Sequence, residues 1–276
     1  EHNLYIVEDA AHALPTSYDG QMVGTIGDLT AFSFYATKNL TTAEGGMLTG
    51  NAELIKKARV FSLHGMSRDA WKRYGKGGSW YYEVIEAGFK YNMTDLQAAI
   101  GRVQLVRLAD MQASRQYVVE RYNAAFSLID ALVIHTERPN VQSAHHLYVL
   151  RLHADKLDID RAAFIQELAE LNIGSSVHFI PVHLHPYYRD KYGWQAEDFP
   201  VAFGEYNRML SLPLHPRLTD DDIDDVIAAV TAIVNSAVWP HRSRAATRRH
   251  FARPPIRSQS HGTNPATDSS TASTKS

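Results

Sequence analysis

Leu4-Tyr5-Ile6-Val7 is an unbroken apolar run closed by two acids, Glu8 and Asp9. Continuous apolar character over so short a stretch predicts a strand covered on both faces, as in a parallel sheet. Turn formers follow at Pro15, Gly20, Gly24 and Gly27, and Leu29 to Phe34 reads as a second strand. Gly45-Gly46 introduces a third apolar piece, Met47-Leu48-Thr49. Asn51 stands where it can cap a helix with Leu54, Ile55, Ala58 and Phe61 on one face, and Gly65 can end it. Thr94 and Gln97 form a capping box ahead of Ile100, Val103, Leu105 and Leu108. That helix is predicted to run past Arg115 toward Phe126 and to bridge two domains.

From Leu147 the pattern changes. Leu147, Val149 and Leu152 predict a strand, and Asp160 caps a helix carrying Phe164, Leu168 and Leu171 that ends near Asn172 and Gly174. Val177 to Pro186 reads as strand or extended loop. Thr219 and Asp222 make a second capping box, and Asp220 and Asp221 suit the positive end of a helix dipole. Ile223, Val226, Ile227, Val230 and Ile233 follow at helical spacing. This later half reads as a small α+β unit, and no internal repeat is visible.

Two stretches carry no such periodicity. Met66 to Gly88 holds Arg68, Lys72, Arg73 and Lys76 among Trp71, Trp80, Tyr81 and Tyr82, with Gly75, Gly77 and Gly78. It reads as a long loop of the kind that is functional or mobile. Beyond Trp239 the only acid is Asp268, against six arginines and Lys275, and the last stretch is Ser/Thr-rich with Pro254, Pro255 and Pro265. That stretch has too little apolar surface to offset its ordering entropy, and we expect it to be disordered.

Composition narrows the classes. The chain has 276 residues, 45% hydrophobic and 21% charged, with a formal net charge of -2. Nothing in that balance calls for nucleic acid or an anionic membrane. With no cysteine, disulfides, thiolate metal sites and cysteine nucleophiles are excluded. No apolar run is long enough to span a bilayer, and the cytoplasm is the default compartment. The chain begins at Glu1 and enters an apolar run almost at once. We therefore expect it to be part of something longer.

Asp9 follows a predicted parallel strand, at the edge where open α/β sheets bind ligands. A lone Asp there more often caps the following turn. Lys38, in Phe34-Tyr35-Ala36-Thr37-Lys38-Asn39, sits among small and aromatic residues, where desolvation would free its amine as a nucleophile. A lone lysine is usually a solvated charge. Taken together, an acid after one strand and a lysine after the next are what pyridoxal 5′-phosphate (PLP) requires. The lysine forms a Schiff base and the acid keeps the pyridine nitrogen protonated. The Glu44-Gly45-Gly46 turn lacks the spacing of a phosphate-binding P-loop.

Four blocks carry a resemblance. They are Glu8-Asp9-Ala10-Ala11-His12; Phe32-Ser33-Phe34 with Ala36 to Gly46; Phe89 to Asp95 with Gln97-Ala98-Ala99; and His178-Phe179-Ile180-Pro181-Val182-His183. In that order they resemble the DegT/DnrJ/EryC1/StrS family of PLP-dependent sugar aminotransferases, over about residues 4 to 236. The resemblance implies an α/β fold of the aspartate aminotransferase type (fold type I). Residues 1–108 would be the remainder of a truncated three-layer α/β/α large domain. Residues 109–238 would be a bridging helix and a small C-terminal α+β domain, and 239–276 the disordered basic tail. The resemblance also implies a longer protein, whose N-terminal portion supplies further strands and the cradle for the cofactor phosphate.

The resemblance implies roles position by position. Lys38 would hold the cofactor and then move the proton. Asp9 would pair with the pyridinium nitrogen, His12 would pack by the ring, and Ser33 would bind the phosphate. Asn92 would reach the phosphate of a neighbouring subunit's cofactor, which makes a homodimer with shared sites. Tyr91, His178 and His183 would border the sugar nucleotide. Glutamate would be the amino donor and a keto sugar nucleotide the acceptor, for a polysaccharide, lipid A or antibiotic sugar. No metal is expected, since His178, His183 and His185 lack helical i, i+4 spacing and a neighbouring carboxylate. Three alternatives stand: an inactive truncated fragment, a dehydratase of the same family, and a nucleic-acid binder using the basic tail. Some dehydratases of the family carry His at the lysine position, and Lys38 argues against those.

Overall fold

A computed structural model of the chain describes residues 2, 4–67 and 81–238. Residues 68–80 of the predicted loop Met66 to Gly88, and the predicted disordered tail, lie outside the described residues. The strands are β1 (Val7–Asp9), β2 (Ser17–Tyr18), β3 (Gln21–Met22), β4 (Leu29–Ser33), β5 (Gly46–Gly50), β6 (Leu132–Val133), β7 (Val141–Gln142), β8 (Tyr148–Leu152) and β9 (Met209–Leu212). The helices are α1 (Ala52–Ser62), α2 (Asp95–Val106), α3 (Leu108–Phe126), α4 (Arg161–Glu170), α5 (Pro186–Tyr192), α6 (Pro200–Arg208) and α7 (Asp220–Ala237).

Three small sheets organise these elements. The first has the order β1-β4-β5. Here β1 runs parallel to β4, with Asp9 opposite Ala31, and β5 returns antiparallel along β4. The second is a hairpin, β2 and β3, whose tight turn at Asp19-Gly20 has positive φ at both residues. Its other edge pairs with β7, which ties the first third of the chain to residues more than a hundred positions later. The third sheet, β6-β8-β9, is antiparallel.

The helices begin where the capping residues lie. Asn51 Oδ1 accepts the amides of Glu53 and Leu54, at 2.9 and 3.3 Å. Both capping boxes close, Thr94 with Gln97 and Thr219 with Asp222. After α1 the chain turns through Gly65, whose φ of 67° lies in the left-handed region. A Cβ there would fall 1.7 Å from the carbonyl oxygen of Glu86.

Two expectations change. The predicted long helix is two helices, because the Arg107 amide splits its bond between Val103 O and Gln104 O and tightens the turn before α3 begins. The strand predicted around Val149 and Leu152 is present as β8, and its buried side chains are Tyr148, Leu150 and Leu152. Tyr148 takes the inner face because its hydroxyl reaches Asn123 Oδ1 at 2.8 Å, and the period of two then fixes the rest. The opening strand is not covered on both faces. Leu4, Tyr5, Ile6 and Val7 are 62–79% exposed, and the far edge of β1 has no strand beside it among the described residues.

The apolar core sits elsewhere. Every residue of the buried cluster lies between Val118 and Ala237. There α3, α4 and α7 cover the third sheet, with Phe164, Leu168, Ile223 and Val230 fully buried. Tyr122 packs edge-on against Tyr148 at 4.9 Å between ring centroids.

Candidate functional site

Alternation along β1 sends its two acids to opposite sides. Glu8 Oε2 accepts from Thr30 Oγ1 at 2.7 Å and from the Gly27 amide at 2.9 Å, so it ties β1 to β4. Asp9 lies exposed at the carboxyl end of the strand, where its Oδ1 accepts the Ala11 amide at 3.0 Å. One acid ties the sheet together, and the other caps the turn that follows the strand while remaining exposed.

Lys38 follows β4, the strand parallel to β1. Its amide donates to Tyr35 O at 2.9 Å, closing a tight turn. The loop folds back on itself through Thr42 N to Phe34 O at 2.9 Å and Phe34 N to Gly45 O at 2.8 Å. Phe34, Leu40 and Thr42 are buried beneath it. From the other side, Gln97 Nε2 on α2 donates to Glu44 O at 2.8 Å. Two adjacent parallel strands thus deliver a carboxylate and an amine to one sheet edge, the edge where such sheets bind ligands.

His12 feels both groups. Burial, with the Lys38 charge second, pushes its imidazole below the ordinary value, while Asp9 pulls the other way. His178 lies within the same field: burial and then Lys38 hold its imidazole low. His178 Nδ1 is 2.9 Å from Ser211 Oγ on β9, which holds His178 to the third sheet. Phe179 faces His12 at 6.5 Å between ring centroids.

The other expected site residues are placed less closely. Ser33 ends β4 and accepts the Tyr35 amide at 3.3 Å. Asn92 accepts from Lys90 Nζ and stands just ahead of α2. Tyr91 is 74% exposed and stacks on Phe89 at 4.8 Å between ring centroids. His183 is buried, stacked on Phe199 at 4.5 Å, with no hydrogen-bond partner for its Nε2 among the described residues.

Two site residues escape the sequence reading. The His146 ring lies 4.1 Å from that of His12, and its Nδ1 is 3.0 Å from Asn39 Oδ1. Burial, then the charges of His12, Lys38, Arg115 and His178, push His146 down to about 4. Asn39 is itself buried, beside Lys38 in sequence. The sequence offered only a weak signal, a His145-His146 pair ahead of an apolar strand. Among the described residues, no cluster of three His, Cys, Asp or Glu side chains could hold a metal ion.

The sequence profile of the DegT/DnrJ/EryC1/StrS aminotransferase family matches residues 1–231. The chain belongs to this family. SpsC of Bacillus subtilis, a spore coat polysaccharide biosynthesis protein, is a family relative 55% identical over 238 residues. The match takes in 86% of this chain and 61% of SpsC, so the chain spans about three-fifths of that relative. Spr1654 of Streptococcus pneumoniae, solved in a PLP form, superposes with a TM-score of 0.75 at 35% identity. That superposition covers 84% of this chain and 58% of Spr1654. PseC of Helicobacter pylori, an aminotransferase involved in the biosynthesis of pseudoaminic acid, gives a TM-score of 0.75 at 25% identity. It covers 85% of this chain and 61% of PseC. The PLP-dependent fold expected from sequence is therefore the fold this family member has.

Proposed function

We propose that this chain carries the lysine-bearing part of a PLP-dependent aminotransferase that converts a keto sugar nucleotide to an amino sugar nucleotide, with glutamate as donor. The observation that carries this reading is the convergence of Asp9, His12 and Lys38, with the first and last both acting on the His12 imidazole. Membership of an aminotransferase family and likeness to a protein solved with PLP support it. The names of PseC and SpsC support a sugar substrate on the way to a glycan.

The residues present fit PLP. The Lys38 amine would meet its aldehyde carbon and the Asp9 carboxylate its pyridine nitrogen, since both residues follow the parallel strands β1 and β4. When bound, the cofactor would supply an electron sink for the carbon that bears the transferred nitrogen. Lys38 would anchor it through Nζ, and the same amine would carry a proton to and from that carbon. The Asp9 carboxylate would keep the pyridine nitrogen protonated. His12 would pack by the ring, in a neutral form that its lowered pKa favours. Ser33 would bind the phosphate, and Asn92 the phosphate in a neighbouring subunit of a homodimer. Tyr91, His178 and His183 would border the sugar nucleotide. On this reading residues 1–108 belong to the large cofactor domain and 109–238 to the bridging helix and small domain.

The test is direct. PLP is added to the chain, the mixture is reduced with borohydride, and the modified lysine is located by mass spectrometry. Lys38 is expected to carry the cofactor, and Lys38→Ala is expected to lose both the adduct and the visible absorbance. Equal labelling of the Lys38→Ala variant would overturn the assignment.

A further inference from the structure

Asn39 follows Lys38 directly and is only 8% exposed. Both ends of its carboxamide are held by one distant segment. Nδ2 donates to Ala144 O at 2.6 Å, and Oδ1 lies 3.0 Å from His146 Nδ1. A backbone carbonyl oxygen can only accept, so Ala144 fixes which way the amide faces. Its oxygen must then meet a donor. His146 therefore carries its ring proton on Nδ1, and the neutral ring keeps Nε2 as a bare acceptor.

The segment that holds Asn39 is itself firmly held. Thr16 Oγ1 accepts the Ala144 amide at 3.0 Å. Gln112 Nε2 and Arg115 Nη1, both on α3, donate to Ser143 O at 2.8 Å and His145 O at 3.4 Å. Arg115 also donates to Leu214 O at 3.0 Å. His146 thus connects the lysine turn to a strut built from α3 and from the chain beyond β9.

We propose that His146 is a positioning residue for Lys38, acting through the Nδ1–H bond that clamps Asn39. The groups around it are cationic or become so: His12, Lys38, Arg115 and His178, with Asp9 reached across His12. A neutral, proton-donating ring is the form that such surroundings tolerate, and it is the form the clamp needs. The consequence for cofactor binding rests on the reading of Lys38 given above; the clamp does not.

The test separates the two. In the 276-residue chain without added cofactor, acylation of Lys38 is measured against Lys156 by mass spectrometry from pH 6 to pH 9. Losing one hydrogen bond of ordinary net strength shifts a local opening equilibrium about threefold to tenfold. His146→Ala and Asn39→Asp, the latter lacking a donor for Ala144, are each expected to raise Lys38 acylation by about that factor. His146→Asn sets an amide donor where Nδ1 stood and is expected to restore the profile. Wild-type acylation in His146→Ala would overturn the proposal. So would His146→Asn behaving like His146→Ala, because the ring rather than its Nδ1–H would then matter. If His146→Ala does not fold, by circular dichroism, the Asn39→Asp and His146→Asn pair decides in the same terms. In a second arm, His146→Ala is expected to need about tenfold more PLP to half-saturate Lys38. If the wild type traps no PLP while the acylation pattern holds, the clamp stands and the cofactor reading falls.

Discussion

The two halves of this chain are built on different terms. Residues 109–238 hold the whole buried apolar cluster, with three helices laid over the sheet β6-β8-β9. Residues 4–108 bury Ala10, Phe34 and Leu40, and neither α1 nor α2 has a buried residue. Yet the second group carries Asp9, His12, Ser33 and Lys38. Its order comes from hydrogen bonds instead: Glu8 across β1 and β4, Asn51 at a helix start, and a lysine loop closed on its own backbone. One half is held by transfer of apolar surface from water, which is non-directional. The other is held by directed polar contacts, which fix atoms in place but add little net stability each. The role proposed for Lys38 would need the second kind of support.

The contrast can be broken most sharply at Phe164. It is fully buried between α4 and its neighbours. Phe164→Ala is expected to cost about 3–5 kcal/mol, read as a lower urea midpoint for the later half. A cost under about 1 kcal/mol would mean that the cluster is not the stabilising core. In the first half the largest single effect is expected at a glycine rather than an apolar side chain. Gly65→Ala would drive a Cβ into Glu86 O from a backbone held at positive φ. A loss of about 1–3 kcal/mol is expected, seen as faster amide exchange around Leu63 and Lys90. Unchanged exchange would show that this turn does not constrain the half that bears the site.

The sequence disclosed the halves unequally. Helix starts were legible wherever a side chain caps a backbone, at Asn51, Thr94, Asp160 and Thr219, because that chemistry is local. The strand order Asp9, then Lys38, was legible because the run of elements places both at one edge. The inner face of β8 was not legible. Tyr148 is admitted to the core by a hydroxyl bond to Asn123, 25 positions away. The same holds for His146 and Asn39, which meet across 107 positions of chain. The separate jobs of Glu8 and Asp9 followed only once Gly27 and Thr30 were seen beside one of them.

Acid should act on the seam between the halves. His12, His145, His146 and His178 all have imidazoles lowered by burial, His146 to about 4. In the unfolded chain each takes a proton near pH 6.5, before its folded counterpart does. The unfolded state therefore binds more protons as pH falls below that value, and stability drops. The loss runs from the unfolded value down to the folded one. His145 is buried, while His12, His146 and His178 are partly exposed and screened, and about 1 kcal/mol is expected between pH 7.5 and pH 5.5. Urea midpoints over that range check it, and His146→Asn is expected to flatten the slope. A midpoint that rises on acidification would contradict the burial assigned to these rings.

The smallest effect is expected on α2, and it tests the contrast from the opposite side. Leu96 is 80% exposed and Val106 is 84% exposed. Truncating either to Ala removes apolar atoms that water already reaches. The folded and unfolded states then differ little at that position, and helix propensity slightly favours Ala over Val. Leu96→Ala and Val106→Ala are therefore expected to change the unfolding free energy by less than about 0.5 kcal/mol. Urea titrations at two protein concentrations measure this. A cost above about 1 kcal/mol that grows with concentration would mean the helix face is covered in solution. The first half would then have an apolar interface after all, supplied from outside the single chain, and the division between directed polar support and apolar burial would fail at α2.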